Sequence, residues 1–156
     1  MIKAQRGTKD ILGEDSITWQ WIQENAKRIF QNANFTEIKT PIFEATELFN
    51  RGVGDSTDIV NKEMYTFSVG GADKSATSIT LRPENTAGVV RAFIEHNLNR
   101  QSPPQKFWYF GPMFRYERPQ AGRQRQFSQV GVEMFGIKEP SADAEIIMAA
   151  VEFLKS

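Results

Sequence analysis

The chain has 156 residues, no cysteine, a single histidine (His96), and 19 basic residues against 19 acidic ones. Disulfides, thiolate zinc sites, cysteine nucleophiles and multi-histidine metal sites are thereby excluded. With no net charge there is no global field to recruit nucleic acid or membrane, so any such contact must come from a local patch.

Hydrophobic content of 40% and charged content of 24% fit one globular domain with a real core. The start, "MIKAQRGTKDILGED", lacks the apolar stretch of a signal peptide, and no run is long enough for a membrane helix. A cytoplasmic protein is expected.

The first predicted helix runs from Asp15 to Ala33, with Ile17, Trp21, Ile22, Ala26, Ile29, Phe30 and Ala33 at helical spacing. Trp19 and Trp21 read as packing residues. "NFTEIKTPIFE" is a strand that Pro41 closes or confines to an edge. A short helix is predicted over Glu44–Arg51, then a glycine-broken loop, "GVGDSTD"; Gly52 and Gly54 lack the context of a dinucleotide-binding fold. "MYTFSV" and "TSITLR" form a hairpin around "GGADKSA". Glu84–Leu98 is a helix with Val90, Phe93, Ile94 and Leu98 on its apolar side, and His96 a surface residue near its end. "KFWYFGPMFRYE" and "QFSQVGVEMFG" are long strands joined by the loop "RPQAGRQR", hence antiparallel. Ser141 is expected to cap a last helix through Leu154, with Asp143 and Glu145 in its first turn. The fold class is α+β, a mostly antiparallel sheet flanked by helices.

The two long strands pose a question of face. On the second, Phe127, Gln129, Gly131, Glu133 and Phe135 alternate with Val130, Val132 and Met134. The valine face is a core face. The other mixes aromatic rings, an amide and a carboxylate, which suits a ligand pocket. If alternation survives Pro112, Arg115 and Glu117 join that face with Gly111 and Met113, while Trp108, Phe110, Phe114 and Tyr116 take the opposite one. Arg123 and Arg125 lie in the loop that can fold over it. Guanidinium groups fork onto phosphate and a phenylalanine face stacks a base, so the pattern points to a nucleotide triphosphate bound on a sheet without a P-loop. The plainer alternative is a surface loop in which Glu117 pairs with Arg115 or Arg118.

"FRYERPQAGRQRQF" resembles motif 2 of the class II aminoacyl-tRNA synthetases, and "GRQRQFSQVGVEMFG" narrows the resemblance to the histidyl-tRNA synthetases. "RGTKDIL", "TPIFE" at the end of motif 1, "DIVNKEMYTF" and the histidine-binding element "LRPENTAG" agree. The resemblance covers nearly the whole chain. It implies a class II catalytic core that activates L-histidine with ATP and Mg2+, then transfers the histidyl group to tRNA(His). Arg115 would be the catalytic arginine, bridging α-phosphate and carboxylate. Glu117, Arg123 and Phe127 would complete the ATP site. Glu84, Asn85, Thr86, Arg115, Gln129 and Glu133 would hold histidine, with Glu84 assigned to its ammonium. Arg125 would serve either tRNA or the loop. A homodimer through the motif 1 region is implied.

Three positions depart from the family pattern. Asn85 stands where glycine is usual, and is expected to tolerate left-handed backbone. Tyr116 and Ser128 replace common histidines and are expected off the ligand face. Motif 3 and the anticodon-binding domain are missing, so residues 1–156 are expected to be the N-terminal part of a catalytic domain, weak or inactive alone. The competing function is a synthetase-like regulatory subunit of ATP phosphoribosyltransferase, which binds histidine without charging tRNA.

Overall fold

The computed structural model describes residues 1–53, 63–70, 77–118 and 120–156. In chain order it shows α1 (Gly13–Asn32), β1 (Thr36–Glu37), β2 (Phe43–Ala45), α2 (Thr46–Val53), β3 (Tyr65–Val69) and β4 (Thr77–Leu81). Next come α3 (Thr86–Glu95), a 3-10 turn (Leu98–Arg100), β5 (Gln105–Phe114), β6 (Gln126–Phe135) and α4 (Pro140–Lys155). The α+β expectation holds, with two three-stranded sheets, β1-β5-β6 and β2-β4-β3, in place of one. Most of the predicted "GVGDSTD" loop and most of "GGADKSA" lie outside the described residues; the first two loop positions, Gly52 and Val53, are instead the end of α2. No helix among the described residues is long and apolar enough to cross a membrane.

Two compact units divide the chain, the boundary crossing β5 after Phe110 and β6 after Gln129. The first holds residues 1–9, 40–92 and 111–129. In it β4 pairs antiparallel with both neighbours, Phe43 and Tyr65 facing Leu81 and Ala45 and Phe67 facing Ile79. One face of this sheet carries a hydroxyl chain: Thr80 Oγ1 lies 2.9 Å from both Thr66 Oγ1 and Thr46 Oγ1, and Thr46 reaches Ser78 at 2.7 Å. Thr80 is buried, and these bonds supply the partners its hydroxyl needs there. Phe49, on α2, is also fully buried. Within this unit α3 buries Ala87, Gly88, Val89 and Ala92, while Val90 is exposed. The predicted apolar side, led by Val90 and Ile94, is therefore corrected. The buried stripe is Val89 together with the small Ala87, Gly88 and Ala92, which admit close packing.

The second unit holds residues 10–39, 93–110 and 130–156. Its core gathers Ala26, Ile29 and Phe30 of α1 with Phe35, Trp108 and Ala149, and Phe110, Val130, Val132, Met134 and Phe153 pack against it. Phe30 touches three rings, with centroids 6.3 Å from Phe35, 5.8 Å from Trp108 and 5.6 Å from Phe153. Trp19 packs edge-on against Phe110 as expected of a packing residue, but Trp21 and Ile17 are exposed. The α1 stripe is narrower than its sequence period implies.

The predicted strand before Pro41 is reduced to Thr36–Glu37, parallel to Phe107–Trp108 of β5. The chain leaves this sheet ahead of the proline, which lacks an N–H, and pairs again only at Phe43. Glu44, expected in a helix, is a β2 residue whose carboxylate meets Arg91 at 2.5 Å. Ser141 does not cap α4. Glu139 occupies that position without a side-chain bond, and Pro140 starts the helix with a pre-set φ. Asp143 lies in the first turn; Glu145 is past it and pairs with Lys106.

Candidate functional site

The site is built on the first unit's ends of β5 and β6. The Arg115 N–H donates to the Arg125 carbonyl at 2.9 Å, closing the hairpin beyond its two strands. That pairing sets Arg115 against the start of β6. Its guanidinium carbon lies 5.1 Å from the Phe127 ring centroid, a cation–π arrangement. Its Nε donates to the Pro83 carbonyl at 2.9 Å, so the fork is held from behind.

Glu117 lies between two arginines. Its Oε1 is 3.9 Å from Arg115 Nη1, and its Oε2 accepts from Arg123 Nη1 at 3.3 Å. These groups line a cleft of about 540 Å³ with Glu63, Gly122, Gln124 and Ser128. That volume is in the range of small-molecule sites. Arg115, Glu117, Arg123 and Phe127 are thus together in one cleft. Pairing of Glu117 with Arg115, the plainer reading, is also present, and phosphate oxygens would compete for the same guanidinium hydrogens.

Two residues fall otherwise than expected. Ser128 lines the cleft, contrary to the expectation that it lies off the ligand face. Glu63, which carries no expected role, lines it too. Its carbonyl accepts from the Tyr116 N–H at 2.7 Å, bringing a segment fifty residues earlier to the cleft wall. The only sequence signal for it is its place in "DIVNKEMYTF". Tyr116 lies away from the cleft as expected, exposed beneath Arg125, whose guanidinium carbon is 4.3 Å from its ring centroid.

Arg125 is bonded to its neighbouring main chain. Its Nε donates to the Glu117 carbonyl at 3.2 Å, and its Nη1 reaches the Arg6 carbonyl at 3.5 Å. The N-terminal segment straps this region: the Gly7 carbonyl accepts from the N–H groups of Arg125 at 2.7 Å and Gln126 at 3.1 Å. Gly7 has φ +85°, and a Cβ there would lie 2.7 Å from Arg125 Cγ. Glycine is required on both counts.

The "RPENT" turn follows β4. The Glu84 carboxylate accepts from the Thr86 N–H at 2.6 Å and the Ala87 N–H at 3.0 Å, capping α3. Asn85 is 1% exposed, and its φ is not positive. The reason given for tolerating asparagine there, left-handed backbone, does not apply. Its side chain instead accepts from Thr40 and Arg82. Thr86 is exposed at the start of α3. Gln129 follows Phe127 by two residues on β6, and its Oε1 is buried with no hydrogen-bond partner among the described residues. A buried acceptor left open is costly. Glu133 is half-buried further along β6, within the second unit.

The family model described as histidyl-tRNA synthetase matches residues 7–156. The chain belongs to the histidyl-tRNA synthetase family. It is 60% identical over 154 residues to a histidine–tRNA ligase of Halothermothrix orenii and 59% identical over 155 residues to that of Microcystis aeruginosa. Each alignment covers 99% of this chain but 36% and 35% of the relative, so the chain spans about a third of the length of the curated relatives it matches. The apo histidyl-tRNA synthetase of S. aureus superposes with a TM-score of 0.80 at 44% identity, over 99% of this chain and 34% of that one. A Bacillus halodurans protein described as an ATP phosphoribosyltransferase regulatory subunit/histidyl-tRNA synthetase gives 0.82 at 25% identity, over 99% and 38%. Histidyl-tRNA synthetase structures thus share the α+β core described above, and the class II expectation for the fold stands.

Proposed function

We propose that the protein carrying this chain joins L-histidine to tRNA(His) through a histidyl-adenylate. One histidine carboxylate oxygen attacks the α-phosphorus of ATP. A new P–O bond forms, the α–β phosphoanhydride bond breaks, and pyrophosphate leaves with that electron pair. A ribose hydroxyl of the tRNA then attacks the acyl carbon and displaces AMP. The nucleophiles come from substrates, so the protein's task is positioning and charge neutralisation.

The observation that carries this reading is the placing of Arg115 on the Phe127 ring with Glu117 and Arg123 in one cleft. Arg115 is assigned to the α-phosphate and the attacking carboxylate, Arg123 to the γ-phosphate end. Phe127 stacks on adenine, and Glu117 accepts from its amine. Among the described residues no cluster of three His, Cys, Asp or Glu could hold a metal by itself. Mg2+ needs no such cage when phosphate oxygens supply ligands, and it is assigned to the substrate as MgATP. Glu84, Asn85, Thr86, Arg115 and Gln129 are assigned to histidine; Glu133 is assigned by family resemblance alone. Asn85, enclosed by Arg82 and Thr40, serves through the shape of the turn. A site that hydrogen-bonds ammonium and imidazole rejects analogues lacking them by about 10⁴-fold or more.

Residues 1–156 form, in this reading, the first part of a class II catalytic domain. Motif 3 and the anticodon-binding domain belong to the remainder of a protein that is cytoplasmic and dimerises through the motif 1 region. The regulatory reading gains from the Bacillus halodurans similarity. A regulator has no use for the full nucleotide set of Arg115, Glu117, Arg123 and Phe127, and that favours the ligase. Histidine-dependent exchange of labelled pyrophosphate into ATP by the whole protein tests the choice. Histidine binding without exchange would hand the function to the regulator.

A further inference from the structure

Arg82 is 6% exposed, and its guanidinium ties together three separate stretches of the first unit. Its Nε donates to the Pro112 carbonyl of β5 at 2.9 Å. Its Nη1 donates to the carbonyl and the Oγ1 of Thr40, both at 3.0 Å, and to Asn85 Oδ1 at 3.3 Å. Thr40 Oγ1 in turn donates to Asn85 Oδ1 at 2.5 Å. The main chain of the same residue is stitched on both sides: its N–H donates to the Ile42 carbonyl at 2.9 Å, and its carbonyl accepts from the Phe114 N–H at 3.0 Å.

Two glycines make room for this network. A Cβ on Gly111 would lie 2.6 Å from Arg82 Nη2. A Cβ on Gly88 would lie 3.2 Å from Thr40 Oγ1 and 3.4 Å from Asn85 Oδ1. Burying a guanidinium is costly, and well-packed apolar groups often serve stability as well, so stability alone does not account for an arginine here. What an arginine supplies is a rigid planar fork with donors in fixed directions, which neither lysine nor an apolar side chain reproduces.

The residues that Arg82 fixes are those the site depends on. Pro83, next in sequence, presents the carbonyl that holds Arg115 Nε. Glu84 follows, then Asn85, whose amide oxygen the fork grips directly. We propose that Arg82 is a positioning residue for the adenylation step, setting the aim of the Arg115 guanidinium through the Pro83 carbonyl and the pose of the Glu84–Thr86 turn through Asn85. Asn85, on this account, is the acceptor that completes the clamp. The inference rests on the adenylate-forming reading above and adds a residue outside the cleft wall to it.

The test uses the whole protein, with Arg82→Lys and Asn85→Ala each checked for a cooperative thermal transition. Histidine-dependent pyrophosphate exchange is measured per active site, titrated by the burst of adenylate. A misplacement near 1 Å costs up to about 100-fold in rate, so Arg82→Lys is expected to lower kcat by about 10–100-fold with the KM for ATP within about threefold of wild type. Asn85→Ala, which removes one acceptor, should lose about 3–10-fold in the same direction. In an Arg115→Lys background, Arg82→Lys should cost less than about twofold more, because the two act as a unit. Should Arg82→Lys fail to fold, Asn85→Ala decides. Folded variants with wild-type kcat, or losses that simply multiply with that of Arg115→Lys, overturn the inference while leaving the ligase reading intact. A wild-type protein that makes no adenylate overturns both.

Discussion

Arg115 and Pro83 are joined by a 2.9 Å hydrogen bond from the guanidinium Nε to the carbonyl oxygen. The bond uses the one donor that does not belong to the terminal fork, and Nη1 lies on the cleft side, 3.9 Å from Glu117 Oε1. A guanidinium anchored in this way loses little freedom on meeting a phosphate, which is the condition for stabilising charge as it develops.

Arg115→Ala in the whole protein should lower kcat for histidine-dependent pyrophosphate exchange by about 10²–10³-fold or more, the cost of removing one well-placed charge-stabilising donor. Circular dichroism should show the fold retained, since the side chain is only part-buried. Near-normal exchange would refute the role assigned to Arg115.

Phe127→Leu keeps an apolar side chain but removes the flat surface on which both Arg115 and a base could lie. Stacking of a base on an aromatic ring is worth about 1–3 kcal/mol, so the KM for ATP should rise about 5–150-fold. The KM for histidine should change far less. Equal increases for the two substrates would place Phe127 elsewhere than under adenine.

Strand alternation made much of this site legible before any coordinates. Val130, Val132 and Met134 pack against the core, and Phe127 meets Arg115, because a period of two fixes faces regardless of what else the chain does. What was illegible depends on contacts distant in sequence. Nothing local to Asn85 announces Thr40, forty-five residues earlier, and nothing local to Glu63 announces Tyr116. The apolar side of α3 is illegible for a different reason: Val90 and Ile94 are the bulkier residues, yet the buried ones are Val89 with the small Ala87, Gly88 and Ala92, which allow close approach. At the start of α4, Ser141 is the expected cap, but the helix begins at Pro140, whose fixed φ suits the first turn.

Gly7→Ala should loosen the N-terminal strap without unfolding the protein. The new methyl meets Arg125 Cγ at 2.7 Å and sits on a backbone with φ +85°, so the segment must shift and its carbonyl must withdraw. The N–H groups of Arg125 and Gln126 both donate to that carbonyl. Hydrogen exchange at these two amides should accelerate at least about tenfold, the effect of about 1.4 kcal/mol less local protection, while core amides such as that of Phe30 keep their rates. Unchanged protection at both amides would mean that the strap does not hold the loop.

Gly131 tests the second unit. A Cβ there would lie 2.4 Å from the Tyr109 ring and hydroxyl, and Tyr109 is buried with little room to turn aside. Gly131 ordinarily weakens a strand, so a substitution by alanine on an open β face would be neutral or stabilising. Here the ring fills the space above the glycine, and overpacking of this kind costs about 1–3 kcal/mol. Gly131→Ala should therefore lower the denaturant midpoint of the whole protein, and Tyr109→Ala should cost less in that background than it does alone, because it vacates the volume the methyl needs. The two changes are in contact, so their effects should fail to add. A Gly131→Ala protein as stable as wild type, or strictly additive losses, would show that Tyr109 does not occupy the space over Gly131.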